Sequence, residues 1–151
     1  MRIAGGVLTL DDGTIVDSYI SNSTKIDADK MQHCYHRGTG FALAIGGTPS
    51  AREEIVFVAT QAGTVRSFNA LCNDTGTSSS ITFDLKKNGT TMLSSVITIT
   101  NATTDKATQS ATLSVTTFAA GDILSIALAV SSTTGMVGPY ASVCVEENAA
   151  P

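Results

Sequence analysis

The stretch that most restricts the fold is ITFDLKKNGTTML, residues 81–93. Ile81, Phe83 and Leu85 alternate with Thr82, Asp84 and Lys86, and a period of two puts the apolar set on one face of a strand. Asn88-Gly89 follows directly. Both residues accept the positive φ of a type I′ turn, so the pair is a strong short hairpin signal. The chain then returns through a strand that includes Met92 and Leu93 and runs on through VITIT (96–100). A sequence that spells strand, tight turn and strand here must pair antiparallel and bury one face.

The same texture runs from about Ile55 to the end. IVFVAT (55–60) leads through a turn at Gly63 to TVRSFNALC (64–72), where Val65, Phe68 and Leu71 need a bulge or twist to share a face. NDTGTSS (73–79) reads as loop, and VITIT (96–100), Thr108–Thr117, ILSIALAV (123–130) and Val137 through Tyr140 to Val145 read as further strands. Short strands at near-regular spacing with no helix between them predict an all-β domain over 53–151, an antiparallel β-sandwich or jelly roll. Phe83, Leu85, Val96, Leu113, Leu124, Ile126 and Val143 are its expected core. Either face of 123–130 can be the inner one, because a one-residue slip exchanges them.

Residues 1–52 have a different texture and read as an N-terminal arm. VLTL (7–10) and TIVDSYI (14–20) flank Asp11-Asp12-Gly13, a turn that folds them into a hairpin. Residues 27–37 are expected to form a short helix, with Asp27 as N-cap, Asp29 in the first turn, Met31 and Tyr35 at helical spacing and Gly38 as C-cap. GTGFALAIGGTPSA (38–51) then holds a glycine-fenced apolar run. Short apolar runs are ambiguous, so FALAI is either a docking segment or one more strand of the domain.

Charge and composition narrow the function. The net charge is −4, and the nine Lys and Arg are dispersed, whereas phosphate binding needs a clustered basic surplus; no nucleic-acid partner is expected. No apolar run approaches the roughly 20 residues of a membrane-spanning helix. Asp11 and Asp12 interrupt any signal-peptide core, which implies synthesis in the cytoplasm. Ser and Thr make up about a quarter of the chain, a hydroxyl-rich surface suited to strands.

The chemistry-bearing residues are few. Asp29, His33 and His36 at helical spacing could share one face and offer metal ligands; the plainer reading is a polar helix face, and neither metal nor cofactor is expected. Cys34 beside a histidine lacks an orienting third group for nucleophilic catalysis. Three cysteines, odd in number and widely spaced, imply no disulfide framework, and Cys72 and Cys144 fit strands as small buried apolar residues. There is no G-x-S-x-G elbow and no phosphate-cradling glycine pattern. No catalytic residues are assigned, and the chain is not expected to be an enzyme. Without Trp and with 5% aromatics, a sugar-stacking site is disfavoured.

Four stretches, in order, carry a resemblance: ADKMQH at Ala28–His33, the strand start AGTV at Ala62–Val65, DLKKNG at Asp84–Gly89 and AGDIL at Ala120–Leu124. The chain after residue 25 thereby resembles the cement or decoration proteins and head-fibre-like proteins of tailed phages. The resemblance implies a jelly-roll or sandwich body and an N-terminal segment that engages the major capsid protein. It also implies homotrimers on the outside of the shell. On that reading Ile3, Val7, Leu8, Ile15, Tyr19 and Ile20 contact the capsid, and Met31, Tyr35, Phe41, Leu43 and Ile45 pack the arm and the oligomer. The first 25 residues match no pattern of that family. The alternative is a head-fibre or receptor- or glycan-binding module on the virion.

Overall fold

The computed structural model describes residues 34–41 and 46–148. Every regular element among them is a strand: β1 (Tyr35–Gly40), β2 (Arg52–Val58), β3 (Gly63–Asp74), β4 (Ser78–Lys87), β5 (Thr90–Thr91), β6 (Ile97–Thr100), β7 (Gln109–Ser110), β8 (Thr117–Phe118), β9 (Ile123–Thr134) and β10 (Val137–Glu147). They form two antiparallel sheets. The first has the order β1-β10-β3-β7, with β8 also on β3; the second has the order β2-β9-β4-β5, with β6 also on β4. Both contribute to one apolar core, through Phe68, Ala70, Val143 and Val145 of the first and Ile81, Phe83, Leu85, Leu124 and Ile126 of the second.

The hairpin turn forms as expected, but its return strand is broken: β5 ends at Thr91, Met92 and Leu93 lie outside it, and pairing with β4 resumes only in β6 at Ile97. Lys87 pairs with Thr90, and Asn88 and Gly89 between them have φ of 50° and 82°. The Asn88 side chain then clips this turn to the one before β9. Its amide donates to Asp122 at 2.7 Å, and its carbonyl accepts the Ile123 N–H at 2.9 Å. The DLKKNG and AGDIL stretches, distant in sequence, therefore meet. In β9 the inner face is Leu124, Ile126 and Leu128.

Several expectations are corrected. Val96 is 42% exposed, because Ile97 and Ile99 take the inner positions of β6. Leu113 is only partly buried, packed against the rim of the core. Thr108–Thr117 is not one strand: β7 and β8 lie either side of an isolated bridge between Leu93 and Leu113. The bulge in β3 exists, since Cys144 faces Ser67 while Val145 faces Val65, leaving Arg66 as the extra residue. It brings Val65 and Phe68 onto the inner face but not Leu71, whose place Ala70 and Cys72 take.

The largest difference lies at residues 35–40. Tyr35, His36 and Arg37, expected to end a helix, start β1, which pairs with β10 from Tyr35↔Val145 to Gly40↔Tyr140. The expected helix residues before Cys34, and the expected hairpin, lie outside the described residues. Gly38 does not cap a helix. It sits mid-strand, where a Cβ would overlap the Tyr140 hydroxyl and stand 2.6 Å from its Cζ. Glycine lets the Tyr140 ring lie over the strand, and with Thr39 and Gly40 following, local helix propensity is low enough for sheet pairing to prevail.

β1 and β2, the outer strands of the two sheets, are tied together. The Thr39 hydroxyl donates to the Glu54 carboxylate, and the Arg52 guanidinium donates to the Gly40 carbonyl at 2.7 Å. Phe41 follows β1, donates its N–H to the Pro139 carbonyl at 3.0 Å, and is 0% exposed. β1 and Phe41 thus belong to the body, although the texture of the sequence assigned them to the arm.

Candidate functional site

The residues expected to contact the capsid, Ile3, Val7, Leu8, Ile15, Tyr19 and Ile20, lie outside the described residues, as do Met31, Leu43 and Ile45. Of the packing set, two are described. Tyr35 opens β1 and is 51% exposed, whereas Phe41 is a core residue whose ring meets Phe83 edge-on at 5.6 Å. Phe41 is buried within this chain and offers no surface to a partner.

The feature that the sequence reading missed is on the outer side of the first sheet. Cys34 and Cys144 are joined as a disulfide, with Cα atoms 5.6 Å apart across a separation of 110 residues, a spacing that suits a disulfide. His36 is directly opposite Cys144 in the β1–β10 register. On a strand, residues two apart share a face, so Cys34 and His36 point the same way. A helical reading pairs His33 with His36 instead. Recognising residues 35–40 as a strand would have exposed the Cys34–His36 pair, but nothing local names Cys144 as its neighbour. Cys72 remains a free thiol, buried in the core; burial, first, and the nearby Asp105 push its pKa up to about 12. That leaves it protonated and unreactive.

A groove of about 220 Å³ opens on the same sheet, lined by Asn69, Leu71, Thr108, Tyr140 and Ser142. Its polar groups are hydroxyls and an amide. Tyr140, 43% exposed, supplies an aromatic ring.

Charged side chains serve mainly to fasten loops and strand ends. Glu147 accepts from the Thr60 N–H at 2.7 Å, the Thr60 hydroxyl at 3.0 Å and the Gln61 N–H at 2.9 Å. Burial acts to raise its pKa, and these hydrogen bonds outweigh it to leave the pKa lowered. Asp105 is lowered by hydrogen bonds from the backbone and hydroxyl of Thr75, Asp122 by the Ala119 N–H and the Asn88 amide, and Glu53 by hydrogen bonds from Lys86 and Ser125. Arg66 holds Glu146 low in the same way.

These shifts have one sign. A carboxylate whose folded pKa lies below its unfolded value contributes stability that is complete above the unfolded value and is lost as pH falls through the folded one. Unfolded values are about 3.9 for Asp and 4.3 for Glu. The thermal midpoint should therefore be level between about pH 5 and 8, fall progressively as the pH drops through 4 and below, and fall again above about pH 8.5, where the unfolded Cys72 thiol ionises and the folded one does not. Melts in a pH series at constant ionic strength test this; a midpoint that rises on acidification below about pH 5 would refute it.

No protein-family model matches the chain, and no curated protein shows significant similarity to it.

Proposed function

We propose that this chain is a virion structural protein, a decoration protein with a jelly-roll β-sandwich body that binds the outside of a tailed-phage head and stabilises the shell. The observation that carries the reading is the strand order. β1-β10-β3-β7 in one sheet and β2-β9-β4-β5 in the other, with the chain crossing between sheets at β1–β2, β2–β3, β3–β4, β6–β7, β8–β9 and β9–β10, supports reading the body as a two-sheet jelly roll. That architecture recurs in viral capsid and lectin domains. The four stretches that resemble phage decoration proteins support the same reading from the sequence.

On this reading the protein works by binding rather than by catalysis. A partner that engages only the assembled shell shifts its stability by RT ln(1 + [L]/Kd) per site. A homotrimer would raise the effective concentration of its three arms. The arm would supply Ile3, Val7, Leu8, Ile15, Tyr19 and Ile20 as apolar contacts to the capsid. The net charge of −4 accords with a protein partner rather than packaged DNA.

The test is co-sedimentation of the purified chain with emptied, expanded heads that lack it. Saturable binding at a fixed ratio to the major capsid protein is expected, and removal of residues 1–25 should abolish it while circular dichroism still reports a folded β protein. Failure of the full chain to bind would overturn the reading, and undiminished binding by the truncated chain would move the adhesive surface onto the body.

The groove beneath Tyr140 favours a second reading, a head-fibre or glycan-binding module. An aromatic ring beside hydroxyl and amide groups suits a sugar. Saccharide binding to the isolated protein that is lost in Tyr140→Ala would select it over the first.

A further inference from the structure

The disulfide accounts for Cys34 and Cys144 but not for His36. The β1–β10 register sets His36 opposite Cys144, and the strand period sets Cys34 beside His36. As a result the two sulfurs and a ring nitrogen of His36 all lie within 4.8 Å of one another. Tetrahedral coordination with metal–sulfur and metal–nitrogen bonds of about 2.0–2.3 Å needs ligand atoms about 3.3–3.8 Å apart, a separation inside the 4.8 Å that encloses this group. Cys144 is buried, whereas Cys34 and His36 are exposed. The group is therefore anchored in the sheet on one side and open to solvent on the other.

We propose that, in its reduced form, this chain binds one thiophilic cation, Zn²⁺ in particular, through Cys34 Sγ, Cys144 Sγ and the His36 ring, with the fourth position open to solvent. Two thiolates and an imidazole form a donor set that selects zinc over magnesium or calcium, which require oxygen ligands. The paired thiolates would balance the charge of the ion. The ligands come from β1 and from β10, so the ion would fasten the edge strand to the sheet, as the disulfide does. The two states exclude each other, because forming the S–S bond removes both thiolates and leaves His36 alone.

The full-length chain, reduced with a phosphine and held without oxygen, should be titrated with Co²⁺ and then Zn²⁺. The expected result is one equivalent of Co²⁺ with intense thiolate-to-metal absorption and the visible bands of a tetrahedral ion, displaced by one equivalent of Zn²⁺. Cys34→Ser and Cys144→Ser should each lose the tetrahedral dithiolate signature. Cys34 is exposed, so its variant is expected to keep the β-sheet circular dichroism of the parent. His36→Ala should weaken binding by at least the roughly 10–100-fold that loss of an outer-shell partner already costs. Treatment with diamide, which takes up the two electrons and two protons released as the S–S bond forms, should abolish binding. The proposal is overturned if the reduced chain gives no thiolate-to-metal absorption, if that absorption survives unchanged in Cys34→Ser with retained fold, or if His36→Ala binds as tightly as the parent.

Discussion

Phe41→Ala should lower the stability of the protein by about 3–5 kcal/mol, the usual cost of emptying a fully buried phenylalanine site. The side chain is 0% exposed and lies where the first sheet passes to the second. Its ring meets Phe83 edge-on at 5.6 Å, and the Arg52 guanidinium lies 5.6 Å from its centroid. Truncation removes the apolar area and the aromatic contact, and leaves a void beside Phe83 that packed strands fill only in part. For a chain of this size the thermal midpoint should fall by roughly 6–20 °C. Phe41→Leu, which keeps much of the volume, should lose markedly less. If Phe41→Ala melted within a degree or two of the parent, Phe41 would belong to a detachable arm and not to the core.

Gly76→Ala should be costly for two reasons that a second glycine separates. Gly76 has φ of 72°, a region that costs a non-glycine residue about 1–3 kcal/mol. A Cβ there would also overlap the Thr134 carbonyl oxygen and stand 2.6 Å from the Met136 nitrogen. Those are backbone atoms of the β9–β10 turn, which cannot swing aside as the end of a flexible side chain can. The same turn is tied to the Gly76 loop by the Thr77 N–H, which donates to the Thr134 carbonyl at 3.0 Å, so relieving the overlap strains that bond. Gly89 has φ of 82° but open space where a Cβ would go. Gly89→Ala should therefore show only the conformational cost, and Gly76→Ala clearly more. Equal losses in urea unfolding of the two variants would mean that the loops yield freely and that crowding adds nothing.

The local code of this chain was legible in β4 and the turn that follows it. The inward set Ile81, Phe83 and Leu85 and the Asn88-Gly89 turn follow from a period of two and from which residues tolerate positive φ, both properties of a few consecutive residues. The all-β character follows from many such segments with no helical pattern among them. A bulge in β3 was also readable, because no regular strand can place Val65 and Phe68 on one face.

Where the outcome depended on a distant partner, tertiary structure decided. Residues 35–40 carry no alternation of apolar residues, and they are a strand because β10, a hundred residues later, offers an edge to pair with. Phe41 is core because that pairing delivers it between the sheets. Val96 is exposed because the register of β6 on β4 turns Ile97 and Ile99 inward, and a shift of one residue would have reversed all three. The Cys34–His36–Cys144 group exists only because β1 and β10 pair in one particular register. Alternation and turn chemistry are short-range properties written in adjacent residues, whereas edge pairing, register and cross-strand side-chain groups are set by the free energy of closing long loops against burial. No short window of the sequence contains that balance.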